Sequence, residues 1–137
     1  MVTLNNNVRY LQIAFNYDLR LVAQVLPRIP ASERILIEAG TPYIKLTGMP
    51  GLRAIRQRWN GHLVADLKVL DGAIGEVRMA YQAGATAATV LGSAPTETIN
   101  LFKEGHLELR NPLFPGRSSH VASHVVISHL NCRGLRG

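Results

Sequence analysis

Apolar, β-branched runs recur along the chain: Tyr10 to Phe15 (YLQIAF), Ile35 to Ala39 (ILIEA), His62 to Ala65 (HLVA) and Thr86 to Leu91 (TAATVL). Their starts lie about 25 residues apart and show little alternation of apolar and polar positions, which predicts strands buried on both faces of a parallel sheet. A helical pattern follows each run. Asp18 can cap a first helix with Leu19, Leu21, Val22, Val25 and Leu26 on its apolar face, ended by Pro27 and Pro30. Gly40-Thr41-Pro42 reads as a turn, and Pro50-Gly51 opens a second helix carrying Leu52, Ile55 and Trp59 inward and Arg53, Arg56 and Arg58 outward onto a solvated face. A third helix runs from Gly72 to Ala83, packing Ile74, Val77, Ala80 and Tyr81 and stopping at Gly84, and a fourth begins near Pro95 with Ile99 and Phe102.

Four strand-helix units in a row predict an α/β fold with right-handed crossovers, either an open doubly wound sheet or part of a (β/α)8 barrel. A complete barrel needs roughly 200 residues or more, which excludes one within a chain of 137 residues. Residues 1–105 are therefore expected to form a truncated (β/α) barrel domain, and 106–137 an irregular basic, histidine-containing tail. The tail breaks the rhythm and reads as foreign to the repeat; within it Val121 to Leu130 suits one strand or a short helix. A half barrel is expected to leave the edges of its first and fourth strands unpaired, a route to association with another chain.

Composition narrows the function. Hydrophobic residues at 47% against 18% charged exclude a disordered chain. The single cysteine, Cys132, excludes an internal disulfide framework and a four-cysteine zinc site. No run approaches the roughly 18 apolar residues of a membrane span, and the opening residues lack a secretory core, so a cytoplasmic location is expected. Residues 1–99 hold ten Lys+Arg against seven Asp+Glu and residues 100–137 five against two, so the tail supplies half the net charge of +6. No interleaved basic and aromatic pattern accompanies that charge, which argues against nucleic acid as a partner. His120, His124 and His129 with Cys132 match no zinc-ligand spacing and read as a polar tail.

Candidate chemistry concentrates at the end of the third strand, in the D-x-K-x-x-D pattern of Asp66, Lys68 and Asp71. Two residues apart on an extended segment, Asp66 and Lys68 point to one face, and Asp71 falls on the following turn. Charges that interrupt an apolar strand at the carboxyl edge of a sheet are where such folds place their sites, although three charges in six residues also suit an ordinary ion-pair cluster. Glu38 closes the preceding strand in the same way; aligned strands would bring Glu38 and Asp66 into one pocket. Three carboxylates and one ammonium suit a hard divalent cation such as magnesium, with Lys68 available as a proton donor or oxyanion partner.

The segments LQIAFN (11–16), IEAGTPYIKLTGM (37–49), VADLKVLD (64–71), EVRMAYQAGA (76–85) and TVLGSAPTETI (89–99) resemble, in order and spacing, the 3-hexulose-6-phosphate synthase family of the orotidine monophosphate decarboxylase superfamily. The related 3-keto-L-gulonate 6-phosphate decarboxylase is the second match. The resemblance implies the N-terminal half of a (β/α)8 barrel and a magnesium-dependent aldol reaction between formaldehyde and D-ribulose 5-phosphate, or its reverse, through a cis-enediolate. By position it implies Glu38 and Asp66 as metal-site carboxylates and Lys68 as the residue that hydrogen-bonds or shuttles protons to the enediolate. Asp71 would complete the site of a neighbouring subunit in a homodimer. Asn16 would contact the substrate, standing where the family has an aspartate; it can hydrogen-bond a sugar hydroxyl but cannot act as a base. The family's phosphate-binding loops follow its last two strands, beyond the segments matched here, so the alternative from another class is a non-catalytic fragment that acts only by association.

Overall fold

The computed structural model describes residues 7–108 and 124–128. Five strands lie side by side in chain order and all are parallel: β1 (Leu11–Phe15), β2 (Ile35–Ala39), β3 (His62–Val69), β4 (Ala87–Leu91) and β5 (His124–Ser128). Helices α1 (Leu19–Val25), α2 (Thr41–Arg56), α3 (Ala73–Gln82) and α4 (Thr96–Glu108) follow β1 to β4 in turn. The four expected strand-helix units are thus present, and the strand option within Val121 to Leu130 is realised as β5. It pairs with β4 from Ala87↔His124 to Leu91↔Ser128, so the β4 edge expected to be unpaired is covered. The tail is therefore not wholly irregular; the hydrogen-bonding groups of β4 take a partner from a β-branched run even though it comes later than the repeat expects. His120, His129 and Cys132 lie outside the described residues.

Register divides the sheet into two unlike faces. Phe15, Ile37, Ala39, Leu63 and Ala65 pack with Val22 and Leu26 of the α1 region, Tyr43, Leu52 and Ile55 of α2, and Ala80 of α3. Ala88 and Val90 continue this layer against Ala73 and Val77 of α3 and Phe102 of α4. The opposite face carries a small apolar patch of Leu36, Val64 and Ala87, with Tyr10 at its margin, and above it the polar ends of the strands. In β1 that second face is open, for Gln12 and Ala14 are exposed, as is the first residue, Leu11.

Local structure follows the expected signals with three differences. The Asp18 carboxylate accepts from the Leu21 amide at 2.9 Å and caps α1, but Leu19 is exposed and only Val22 of this helix is fully buried. Helix α2 begins at Thr41, eight residues before Met49, with Pro42 in the first turn, where a missing amide N–H costs nothing. It breaks at Gly48 (φ 60°, ψ −154°), a conformation open essentially to glycine, just before Pro50, so the expected helix from Pro50 is its second half. The Tyr43 hydroxyl donates to the Gly51 carbonyl at 3.0 Å across this break.

The third difference is Arg56, which does not belong to a solvated face. Its Nε donates to the Gly84 carbonyl at 2.8 Å, and Nη1 donates to those of Trp59 at 2.7 Å and Gly61 at 3.0 Å. The side chain thereby ties the end of α2 to the loops that enter β3 and β4. Arg53 and Arg58 are exposed as expected. Gly84, at φ 97°, stops α3, and a Cβ there would press on the Arg56 stem at 2.6 Å.

Candidate active site

The carboxyl ends of β1, β2 and β3 bring the expected residues to one face. Ala14 pairs with Glu38 and Glu38 with Val64, so Glu38 and, two residues past Val64, Asp66 project to the same side. Glu38 is half-buried and accepts a hydrogen bond from the Gln12 side-chain amide of β1. Asn16, at the end of the same strand, is exposed and lies over Gly40, where a Cβ would collide with its side-chain amide. This close approach explains why glycine precedes α2.

Asp66 is buried and densely held. Its Oδ1 accepts from the Thr89 hydroxyl at 2.8 Å, and its Oδ2 is paired with the Lys68 ammonium. The Thr41 hydroxyl stands 2.9 Å from Oδ2 and 2.7 Å from the Asp66 carbonyl, and accepts from Lys68 Nζ at 2.9 Å. Burial pushes the Asp66 carboxyl up. The hydrogen bonds from Lys68, Thr89 and Thr41, with the Lys68 charge, outweigh it and leave the group below the ordinary carboxylate range. Asp66 is therefore an ionised carboxylate at neutral pH, oriented on both oxygens.

Lys68 owes its position to a break in the ladder. Ala65 pairs with Ala88 but Val69 with Val90, so β3 carries two more residues than β4 over the same span. Inside this bulge Lys68 adopts φ 52°, the one positive value outside glycine among the described residues. The left-handed conformation costs a non-glycine residue about 1–2 kcal/mol. It returns the Lys68 ammonium over Asp66 on the face that alternation alone predicts. Asp71 is not drawn in: it is exposed on the turn before α3 and makes no hydrogen bond to Asp66 or Lys68 among the described residues. Its charge adds to burial in pushing the Glu76 carboxyl up. Among the described residues no three metal-ligating side chains of the His, Cys, Asp and Glu type gather, so the three expected carboxylates do not form one cluster; Glu38 and Asp66 share a sheet face on adjacent strands.

Thr41 and Thr89 are the site residues that a search for charged groups misses. Thr89 carried a usable signal, being the one hydroxyl within the apolar β4 run AATVL. Thr41 carried almost none, because a threonine between glycine and proline reads as part of a turn.

A sequential parallel sheet with helices on one face and an acid–lysine pair at its carboxyl edge has the layout of part of an α/β barrel. Residues 9–131 match the family model described as orotidine 5'-phosphate decarboxylase / HUMPS, and the chain belongs to that family. It is 41% identical over 133 residues to the bifunctional enzyme Fae/Hps of Methanothrix thermoacetophila, covering 88% of this chain and 34% of that protein. Against the Fae/Hps enzyme of Methanoregula boonei it is 47% identical over 92 residues, covering 66% and 23%. Among solved structures, 3-hexulose-6-phosphate synthase from Salmonella typhimurium aligns with a TM-score of 0.68 and 26% identity, over 85% of this chain and 50% of that one. The 3-keto-L-gulonate-6-phosphate decarboxylase from Vibrio cholerae aligns at 0.75 and 28%, over 93% and 54%. The chain spans about half the length of these solved relatives and about a third or less of the two Fae/Hps enzymes. The fold is thus part of the barrel that the sequence resembles. Among the described residues no helix is long and apolar enough to cross a membrane.

Proposed function

We propose that this chain carries the metal-binding and proton-handling part of a 3-hexulose-6-phosphate synthase type of site, working in the cytoplasm on D-ribulose 5-phosphate and formaldehyde. The observation that supports this most is the Asp66–Lys68 pair, locked by two threonines and sharing an open sheet face with Glu38. Glu38 and Asp66 are hard oxygen donors on adjacent strands, a set that fits magnesium, which takes one or two carboxylates alongside substrate oxygens and water. Magnesium, when bound there, supplies Lewis-acid stabilisation of negative oxygen on the sugar phosphate.

The residues divide the remaining work. In the condensation a proton leaves C1 of ribulose 5-phosphate, the C1 electron pair forms the new bond to the formaldehyde carbon, and the formaldehyde oxygen takes up a proton. The C1 proton passes to water, and Lys68, whose ammonium is held over the site by Asp66 and Thr41, donates the proton that the formaldehyde oxygen takes up. Asn16 donates its amide to a sugar hydroxyl, and Asp71, exposed on its turn, completes the site of a second copy in a homodimer. A decarboxylase acting on 3-keto-L-gulonate 6-phosphate is the second reading, favoured by the higher TM-score of the Vibrio cholerae enzyme; the identities to Fae/Hps enzymes favour the synthase.

The test is formaldehyde consumption in the presence of ribulose 5-phosphate, with and without magnesium, beside an Asp66→Ala control. Magnesium-dependent consumption that the control lacks supports the proposal. Folded protein that consumes no formaldehyde, yet gains thermal stability with magnesium through Asp66, leaves the metal site and overturns the synthase activity of this chain.

A further inference from the structure

Thr89 sits where β3 and β4 fall out of register, between Ala88 and Val90, facing the two extra residues of the bulge. A bulge removes ladder hydrogen bonds, and a buried amide left without a partner is costly. Here the Thr89 side chain replaces the missing partner: its Oγ1 accepts from the Lys68 backbone N–H at 2.9 Å. The same hydroxyl spends its single proton on Asp66 Oδ1 at 2.8 Å. The residue is buried, so water does not readily substitute for either bond. One side chain thus grips the two members of the pair at different points, the backbone of Lys68 and the carboxylate of Asp66.

We infer that Thr89 is a positioning residue, whose hydroxyl holds Lys68 in its left-handed backbone conformation and fixes the Asp66 carboxylate beneath the Lys68 ammonium. The inference rests on the proposed function for its catalytic meaning, but its geometric content does not require turnover. Valine matches threonine in shape and lacks the hydroxyl, so Thr89→Val removes both bonds at once. Serine keeps the hydroxyl and loses only the methyl group.

The experiment is nuclear magnetic resonance of the whole chain, reading the intraresidue amide-to-Hα cross-peak of Lys68, which is strong for a positive φ and weak for extended backbone. The parent and Thr89→Ser are expected to show it strongly and Thr89→Val to lose it, with the signals of α2 and α3 unmoved. Should Thr89→Val fail to fold, Thr89→Ala carries the same expectation. An unchanged Lys68 cross-peak in the variant lacking the hydroxyl overturns the inference, whatever the activity. If the chain consumes formaldehyde, Thr89→Val is expected to lower kcat at least tenfold with KM little changed and Thr89→Ser to restore it. Equal losses in both variants would also overturn the positioning role. A parent without turnover refutes the proposed reaction alone and leaves the resonance test standing.

Discussion

Replacing Arg56 by methionine removes a buried guanidinium while keeping a flexible stem of comparable length, and tests whether this side chain holds the lower end of the fold together. Three carbonyls, those of Trp59, Gly61 and Gly84, lose a charge-assisted donor. At about 1.5–3 kcal/mol for a hydrogen bond to a charged group, the gross loss is roughly 5–9 kcal/mol. Two effects oppose it. Burial disfavours the charged guanidinium, and Nη2 is buried without a hydrogen-bond partner, a penalty of about 1–3 kcal/mol that the substitution relieves. The net expectation is a loss of about 2–4 kcal/mol, or on the order of 10 °C in Tm for a domain of this size. Urea unfolding followed by far-ultraviolet dichroism and by Trp59 fluorescence measures it. Trp59 is a local reporter, because its indole Nε1 donates to the His62 carbonyl at 3.0 Å beside the clamped loop. Arg56→Lys should recover only part of the loss, since one ammonium cannot span three carbonyls on two loops. A midpoint for Arg56→Met within about 0.5 kcal/mol of the parent, the range of an ordinary surface change, would refute the latch.

Two further expectations follow from charge. The Asp66 carboxyl titrates below its unfolded value, so it contributes stability that is present above the unfolded pKa of about 3.9 and is lost as pH falls through its lower folded value; Asp66→Asn should flatten that part of the curve of urea stability against pH. Glu76 has the opposite sign: its folded pKa is raised by burial and by Asp71, so ionisation weakens the fold as pH rises above the unfolded carboxylate range, and Glu76→Gln should raise stability slightly at pH 7, by no more than an ordinary surface change because solvent screens this partly exposed group, with the gain lost at acid pH, read from the same urea curves.

The fold was legible wherever one period dominated. β2 could be bounded to the residue because the apolar Ile35, Leu36 and Ile37 follow Arg34 and the turn residues Gly40 and Pro42 come directly after Ala39. Asp18, Gly84 and Pro50 act as the cap, stop and opening that their chemistry dictates. The first half of α2 was hidden because Gly40, Pro42 and Gly48 read as turn residues; its helix is fixed by tertiary packing of Tyr43, which propensity does not record. β3 extends through Asp66 and Lys68 because a bulge and two threonine hydroxyls satisfy what charged residues in a strand would otherwise leave unpaired. The acid–lysine pair itself was readable from alternation, whereas the grip of Thr89 depends on a register shift between two strands that no single strand encodes. Asp71 shows the converse, a residue conspicuous in the motif whose side chain stays outside the cluster.

The unlike faces of the sheet also separate what this domain can change from what it must keep. Stability is concentrated on the helix side, in Ile37, Leu63, Val90 and Phe102, each fully enclosed. Gln12, Asn16 and Glu38 stand on the other side with water still reaching them, so replacing them removes little buried apolar area. New reactions can therefore be explored at those three positions by ordinary mutation without first acquiring a stability reserve. Asp66 is the exception, because it is buried within the same polar edge, and any lineage that alters it must at the same time find new partners for Lys68, Thr41 and Thr89.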